Sequence, residues 1–245
     1  MDPARYYQGN VTYISRTDVR LARIVQLVGA AAPVNTLDVG CGRGYLLDLL
    51  ADRGLTGLHG VDVFDDVRSE RWAYSTADVT GRLPFPDAAF ECVVAGEIIE
   101  HVPDPDGLLR ELRRVLRPGG TLVVSTPNMV SWANRVLVPL GVQPLGTETS
   151  SEVALGRFLR VLGQGNAVQG HLKVFTWRAL GEILQRYGFT VTQRIGVPTF
   201  FPWPVSLLDR ALARCVPIAS GLLYVAKAPV GPVPAPPPGR RHDEP

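Results

Sequence analysis

Three observations predict an α/β protein built on a doubly wound, mainly parallel sheet. Short apolar runs alternate along the chain with longer segments of helical periodicity. One run, residues 34–39, passes directly into the alternating glycines Gly40, Gly42 and Gly44 and then into a helical segment. Acids follow the next two runs, Asp62 and Asp78, at the carboxyl edge where such sheets place their ligands.

The elements follow in order. Residues 18–31 carry Val19, Leu21, Ile24, Val25 and Val28 near helical spacing, and Pro33 ends that helix. Residues 34–39 form the first strand and 45–51 the helix after the glycines. Strands two to four fall at 58–63, 72–77 and 90–95. Asp104-Pro105 reads as an N-cap followed by proline at the first helical position. Leu108, Leu109, Leu112, Val115 and Leu116 supply that helix's apolar stripe, and Pro118-Gly119-Gly120 its stop. A fifth strand is expected at 121–125, then a helix at 177–187 closed by Gly188. A sixth strand at 190–197, a helix at 205–214 and a last strand at 222–226 complete the pattern.

The 245 residues suit one generous domain, expected over 1–227 with an insertion at about 127–175. Residues 228–245 hold seven prolines and no plausible core, so a disordered tail is expected there. The net charge of +2 requires no polyanionic partner. The basic helix at 110–117 is a weak footprint without an RNA-binding module, and nucleic acid is not expected as a partner. Cys41, Cys92 and Cys215 lack a CxxC pair and form neither a zinc site nor a disulfide framework. No signal peptide is visible, and no apolar run approaches the roughly 18–20 residues of a membrane span. A cytoplasmic protein is expected, with peripheral membrane contact left open by the apolar stretches 136–140 and 200–205.

The glycine turn narrows the ligand. Its spacing is G-x-G-x-G with Asp38 two residues before the first glycine, whereas a dinucleotide fingerprint reads G-x-G-x-x-G. The segment 37–44 resembles the first motif of class I S-adenosylmethionine (SAM) methyltransferases, D/E-x-G-x-G-x-G. Residues 78–90, with Leu83-Pro84-Phe85-Pro86-Asp87, resemble a second segment of that family, although Glu91 replaces the usual aspartate after Phe90. Residues 116–122 are similar to the family's approach to strand five. The resemblance spans roughly 34–126 and implies a seven-stranded, Rossmann-like sheet with its last strand antiparallel. It also implies SAM as cofactor, bound by Asp38, Gly40, Cys41, Gly42 and Gly44, with Asp62 and Val63 at the ribose, Asp78 and Val79 at the adenine, and Glu97 nearby.

Glu97-Ile98-Ile99-Glu100-His101 follows the fourth strand. If helical, it places Glu97, Glu100 and His101 on one face, where two carboxylates and an imidazole suit a divalent ion. His171 is a candidate fourth ligand. The pattern resembles ubiquinone-pathway O-methyltransferases and small-RNA 2′-O-methyltransferases, the latter binding magnesium through E-x-x-E-H and a distant histidine. Three readings stay open for Glu97, Glu100, His101 and His171: ligands of Mg2+, a base or acceptor-positioning group, or structural side chains.

For Trp132, Asn134, Arg135, Gln143, Glu148 and Arg157 of the insertion two readings stay open, residues lining an acceptor site or surface and packing residues. The acceptor expected is a small molecule, a sugar or a lipid-linked compound, methylated on oxygen. Methylation of nitrogen or carbon, and a SAM-fold scaffold without activity, are the alternatives.

Overall fold

The computed structural model describes residues 18–157, 168–199 and 201–231. The proline-rich stretch beyond 231 lies outside the described residues. Seven strands, β1 (Thr36–Val39), β2 (Leu58–Asp62), β3 (Ala73–Thr76), β4 (Phe90–Gly96), β5 (Leu116–Pro127), β6 (Thr190–Val197) and β7 (Gly221–Lys227), form one sheet in the order β3-β2-β1-β4-β5-β7-β6. The first five pair in parallel, and β7 runs antiparallel to both β5 and β6.

The described residues also form the helices α1 (Val19–Ala31), α2 (Tyr45–Ala51), α3 (Pro105–Val115), α4 (Trp132–Leu137), α5 (Trp177–Arg186) and α6 (Val205–Leu212). Alternation within the strands sorts the core into two layers. Val94 and Leu223 face Ile24 and Val28 of α1 and Leu47 and Leu50 of α2. Val93 and Tyr224 face Leu109 and Leu112 of α3 and Leu180 and Leu184 of α5. Helix starts are set locally. Asp18 Oδ1 accepts from the N–H groups of Arg20 (2.8 Å) and Leu21 (3.3 Å), and Asp104 Oδ1 accepts from Gly107 N–H at 2.9 Å with Pro105 following.

Two expectations shift. The fifth strand begins at Leu116, not at Thr121, because the chain turns extended immediately after Val115 and Leu116 pairs with Phe90. The ladder then changes register before Cys92 meets Thr121, so Pro118-Gly119-Gly120 form an irregularity inside a strand rather than a gap before one. The turn 97–101 is not helical: Glu97 has φ +55°, and His101 N–H closes a tight turn onto Ile98 C=O at 3.0 Å.

The sheet order fixes where a ligand can bind. From β1 the chain runs outward to β2 on one side and pairs with β4 on the other, so the turns 40–44 and 97–101 stand next to each other at the carboxyl edge. Ile98 touches the glycine turn there.

Candidate active site

Gly40, Gly42 and Gly44 have φ of +73°, +55° and +80°, a region that costs other residues about 1–2 kcal/mol. Their surroundings differ. A Cβ on Gly40 would meet Ile98 Cδ1 at 2.8 Å, and one on Gly44 would meet Trp72 Cζ2 at 2.0 Å. On Gly42 it would meet nothing within 4 Å. Most of the turn's N–H groups are already taken. Gly40 and Cys41 donate to Val61 C=O at 2.9 and 3.2 Å, Gly42 to Asp62 Oδ2 at 2.7 Å, and Gly44 to Cys41 C=O at 2.9 Å. What stays open is the Cα face of Gly42. Cys41 turns its thiol into the core, where it and Leu47 cover Gly60. Burial, reinforced by Asp38, pushes that thiol's pKa far up, so its side chain is a filler and not a nucleophile.

Asp62 ends β2 as expected. Its Oδ2 holds the Gly42 N–H and its Oδ1 accepts from Val63 N–H, both at 2.7 Å. Each oxygen keeps a second lone pair, so the carboxylate can pin the turn and still accept from two hydroxyls. Burial raises its pKa while those two N–H groups oppose the rise. Asp78 is exposed and accepts from Thr80 N–H at 2.8 Å. Val79 buries its side chain, and its N–H makes no hydrogen bond among the described residues.

Asp38 is buried, and its pKa is pushed up to about 8 by burial and then by Asp62, with Arg20 acting in the other direction. Arg20 is the residue that sequence reasoning missed. Its guanidinium reaches Asp18 at 3.1 Å, Glu97 Oε1 at 3.4 Å and Ser125 Oγ at 3.4 Å. A signal existed: Arg20 sits four residues before Ile24, on the helix face that is otherwise apolar.

Glu97 belongs to this Arg20 network, since Ser125 Oγ also donates to its Oε1 at 2.9 Å. That removes it from the ligand set expected for a metal. Glu100, His101 and His171 do come together, with one ligand atom from each lying within 4.8 Å of the others. The two rings are held from behind. The His101 Nδ1 donates to Gly170 C=O at 3.2 Å and the His171 Nδ1 to Gly146 C=O at 2.8 Å, because a carbonyl can only accept. Both Nε2 atoms therefore carry the lone pairs, the arrangement in which imidazoles ligate ions. Glu100 is fully buried, and neither of its carboxylate oxygens finds a well-formed hydrogen bond among the described residues. Burial, and then Glu97, raise its pKa well above the carboxylate range. His101 is held down to about 4, by burial and then by His171.

These donors fit a divalent ion, because a buried carboxylate without a well-formed hydrogen bond meets two imidazoles, with His101 Nε2 3.9 Å from Glu100 Oε1. They do not fit magnesium well. With Glu97 turned to Arg20, the set offers one carboxylate against two imidazoles, a composition that suits zinc, iron or manganese better than an oxygen-seeking ion.

The six polar residues proposed for the acceptor are spent on structure. Trp132 Nε1 donates to Asp209 at 2.8 Å, and Asn134, buried, bonds Met129 and Leu145. Arg135 caps the carbonyls of Val130 and Pro217, and Gln143 donates to Thr147 Oγ1. Glu148 accepts from the N–H groups of Gln169 and Gly170, and Arg157 donates to Thr147 C=O while lying 4.0 Å from Glu148. Glu148 thereby clamps the strand of chain whose Gly170 carbonyl orients His101.

Comparison with known proteins gives a consistent picture. The model of a family described as "Methyltransferase domain" matches residues 13–194. A Mycolicibacterium smegmatis protein assigned as an S-adenosylmethionine-dependent methyltransferase is 34% identical over 176 residues, covering 69% of this chain and 65% of its own. The ubiquinone biosynthesis O-methyltransferase of Leptothrix cholodnii is 34% identical over 123 residues, covering 45% of this chain and 51% of its own. The chain thus spans between half and two thirds of the length of these relatives. Among solved structures, the Burkholderia thailandensis 1,6-didemethyltoxoflavin-N1-methyltransferase with bound S-adenosylhomocysteine shares the fold, with TM-score 0.56 and 18% identity over 87% of this chain and 80% of that one.

Proposed function

The chain belongs to the methyltransferase domain family of S-adenosylmethionine-dependent enzymes, and from that premise we propose that it transfers a methyl group to an oxygen of a small-molecule, sugar or lipid-linked acceptor. SAM supplies an electrophilic methyl on a sulfonium sulfur, which leaves as a neutral thioether when the acceptor takes the methyl. On the protein's side, the Cα face of Gly42 gives the donor room, Asp62 offers its remaining lone pairs to the ribose hydroxyls, and the Val79 N–H is available to the adenine. Arg20, buried among acids at the same edge, is the cation available to the donor's carboxylate.

The observation that carries the reading is the convergence of Glu100, His101 and His171 beside the glycine turn. A neutral hydroxyl is a poor nucleophile and needs its proton drawn away. An imidazole held near pKa 4 accepts a proton weakly at neutral pH but offers its lone pair freely, which favours His101 as an ion ligand over a general base. A divalent ion bound to Glu100, His101 and His171 would lower the pKa of an acceptor hydroxyl. The relation to a ubiquinone-pathway O-methyltransferase supports oxygen as the acceptor atom.

Two measurements test this. Calorimetric titration with S-adenosylhomocysteine is expected to give micromolar binding; no binding would return the chain to a scaffold role. Methyl transfer to catechol-type and sugar acceptors, measured before and after chelation and with Zn2+, Mn2+ or Mg2+ restored, is expected to need the ion. Undiminished transfer in chelator would remove the ion from the proposal.

A further inference from the structure

We propose that the surface formed by Trp203, α6 and the neighbouring end of α4 docks on an anionic phospholipid bilayer. Large exposed apolar side chains concentrate there: Trp203, 80% exposed, with Leu207 and Leu208 from α6, and Val136, Val138 and Leu140 from the end of α4 and the turn after it. These are six of the twelve large hydrophobics exposed among the described residues.

The two segments are locked side by side. Asp209, buried on the inner face of α6, accepts from Trp132 Nε1 and Thr199 N–H and from the Ser220 hydroxyl. The Trp132 and Phe201 rings meet at 5.6 Å, and Arg135 reaches Pro217 C=O at 3.3 Å. With Asp209 turned inward, helical spacing turns Leu207, Leu208 and Arg210 away from the protein. Val136 stands one turn beyond Trp132 on α4.

Charge selects the occupant. Between residues 198 and 231 the charged side chains are Asp209, Arg210, Arg214 and Lys227, and between 127 and 147 there is Arg135 alone. The single acid is fully buried, so the exposed charge of both segments is positive. Arg210 and Arg214 make no ion pair among the described residues. Both line an open cleft of about 750 Å³ between α1, the end of β6 and α6, together with Arg23. A cationic cleft beside an exposed tryptophan and paired leucines matches a bilayer interface, with headgroup phosphates at the arginines and apolar side chains at the acyl boundary. A protein partner would need an acidic, apolar face of its own, and nothing on this surface specifies one.

Strand direction places this surface at the working edge. β6 and β5 run the same way, each being antiparallel to β7, so α4 and α6 both leave the sheet at the rim that carries the glycine turn. Docking is a property of the folded chain and needs neither methyl donor nor acceptor.

The test is sedimentation of the full chain with vesicles of pure phosphatidylcholine and with vesicles of three parts phosphatidylcholine to one part phosphatidylglycerol. Binding is expected on the anionic vesicles alone, weakening as salt is raised. Each of Arg210→Ala and Arg214→Ala should weaken it by about fivefold, and the double variant Leu207→Ser/Leu208→Ser by about tenfold or more. Trp203 emission should shift to shorter wavelength on binding, and Trp203→Phe should remove that shift. Unchanged titration with S-adenosylhomocysteine verifies that each variant is folded. Equal binding to both vesicles, or none to either, overturns the proposal. So does a concentration-dependent dimer in sedimentation velocity that Leu208→Ser abolishes, since a second copy would then be what covers the surface.

Discussion

The turn 38–44 and the turn 97–101 stand side by side at one sheet edge, yet they are built on opposite principles. The first works through missing side chains and left-handed backbone, and Trp72 against Gly44 and Ile98 against Gly40 leave no room for side chains there. The second works through side chains that are brought together across long stretches of chain, His101 with His171 and, behind them, Glu148 with Gly170. A turn of the first kind is specified by spacing. A cluster of the second kind is specified by the whole fold, and every partner in it can be removed separately.

That contrast is most sharply tested at the glycines. Gly44→Ala combines left-handed strain with a Cβ driven into the Trp72 ring, and a loss of about 4 kcal/mol in urea unfolding is expected. Gly42→Ala meets no atom; it should cost only about 1–2 kcal/mol of strain, yet lower affinity for S-adenosylhomocysteine at least tenfold. Equal unfolding midpoints for the two variants would mean that local crowding does not shape the turn.

On the acceptor side, Glu148→Ala strips two charge-assisted bonds from Gln169 and Gly170, about 3 kcal/mol. Methyl transfer should fall with it while S-adenosylhomocysteine binding stays within experimental error. If donor binding falls in parallel, the two turns are not independent.

The two buried acids divide in the same way. Zinc or manganese at a hundred times its Kd should stabilise the native protein by about 2.7 kcal/mol, and Glu100→Gln should abolish that gain, whereas Asp38→Asn should leave it intact. Asp38 has its own signature in pH. Its folded pKa of about 8 lies above the ordinary carboxylate value, so the fold favours the protonated form. Its contribution is fully present below about pH 4 and is lost as pH rises through 8. Native stability should decline across that window, and Asp38→Asn should flatten the decline in thermal melts. The smallest effect belongs to Gln143→Ala, which removes one bond to Thr147 and should shift stability by no more than about 0.5 kcal/mol.

The same contrast explains what the sequence disclosed. The glycines, Asp62 at the end of β2 and the Asp104-Pro105 helix start all obey local rules, and the sheet that places them follows from strand and helix periodicity. Glu97 adopts φ +55° although its residue type announces nothing of the kind, so the condition that 97–101 be helical is not met. Leu116 opens a strand in front of Pro118-Gly119-Gly120, where turn chemistry pointed to a break. The polar groups of the insertion looked like acceptor contacts because sequence shows donors and acceptors but not what they already hold. Arg20 was hidden for the converse reason, as an arginine on a helix whose partners lie at the ends of distant strands.

Reversal of β7 has a practical corollary. Lys227 pairs with Thr121 and Thr190, at the amino ends of strands whose other ends lie at the edge of the glycine turn. A fluorophore, purification handle or surface tether attached just after Lys227 therefore departs from the far rim of the sheet. Such a handle can immobilise the molecule with its working edge outward, without engineering a linker around the chemistry.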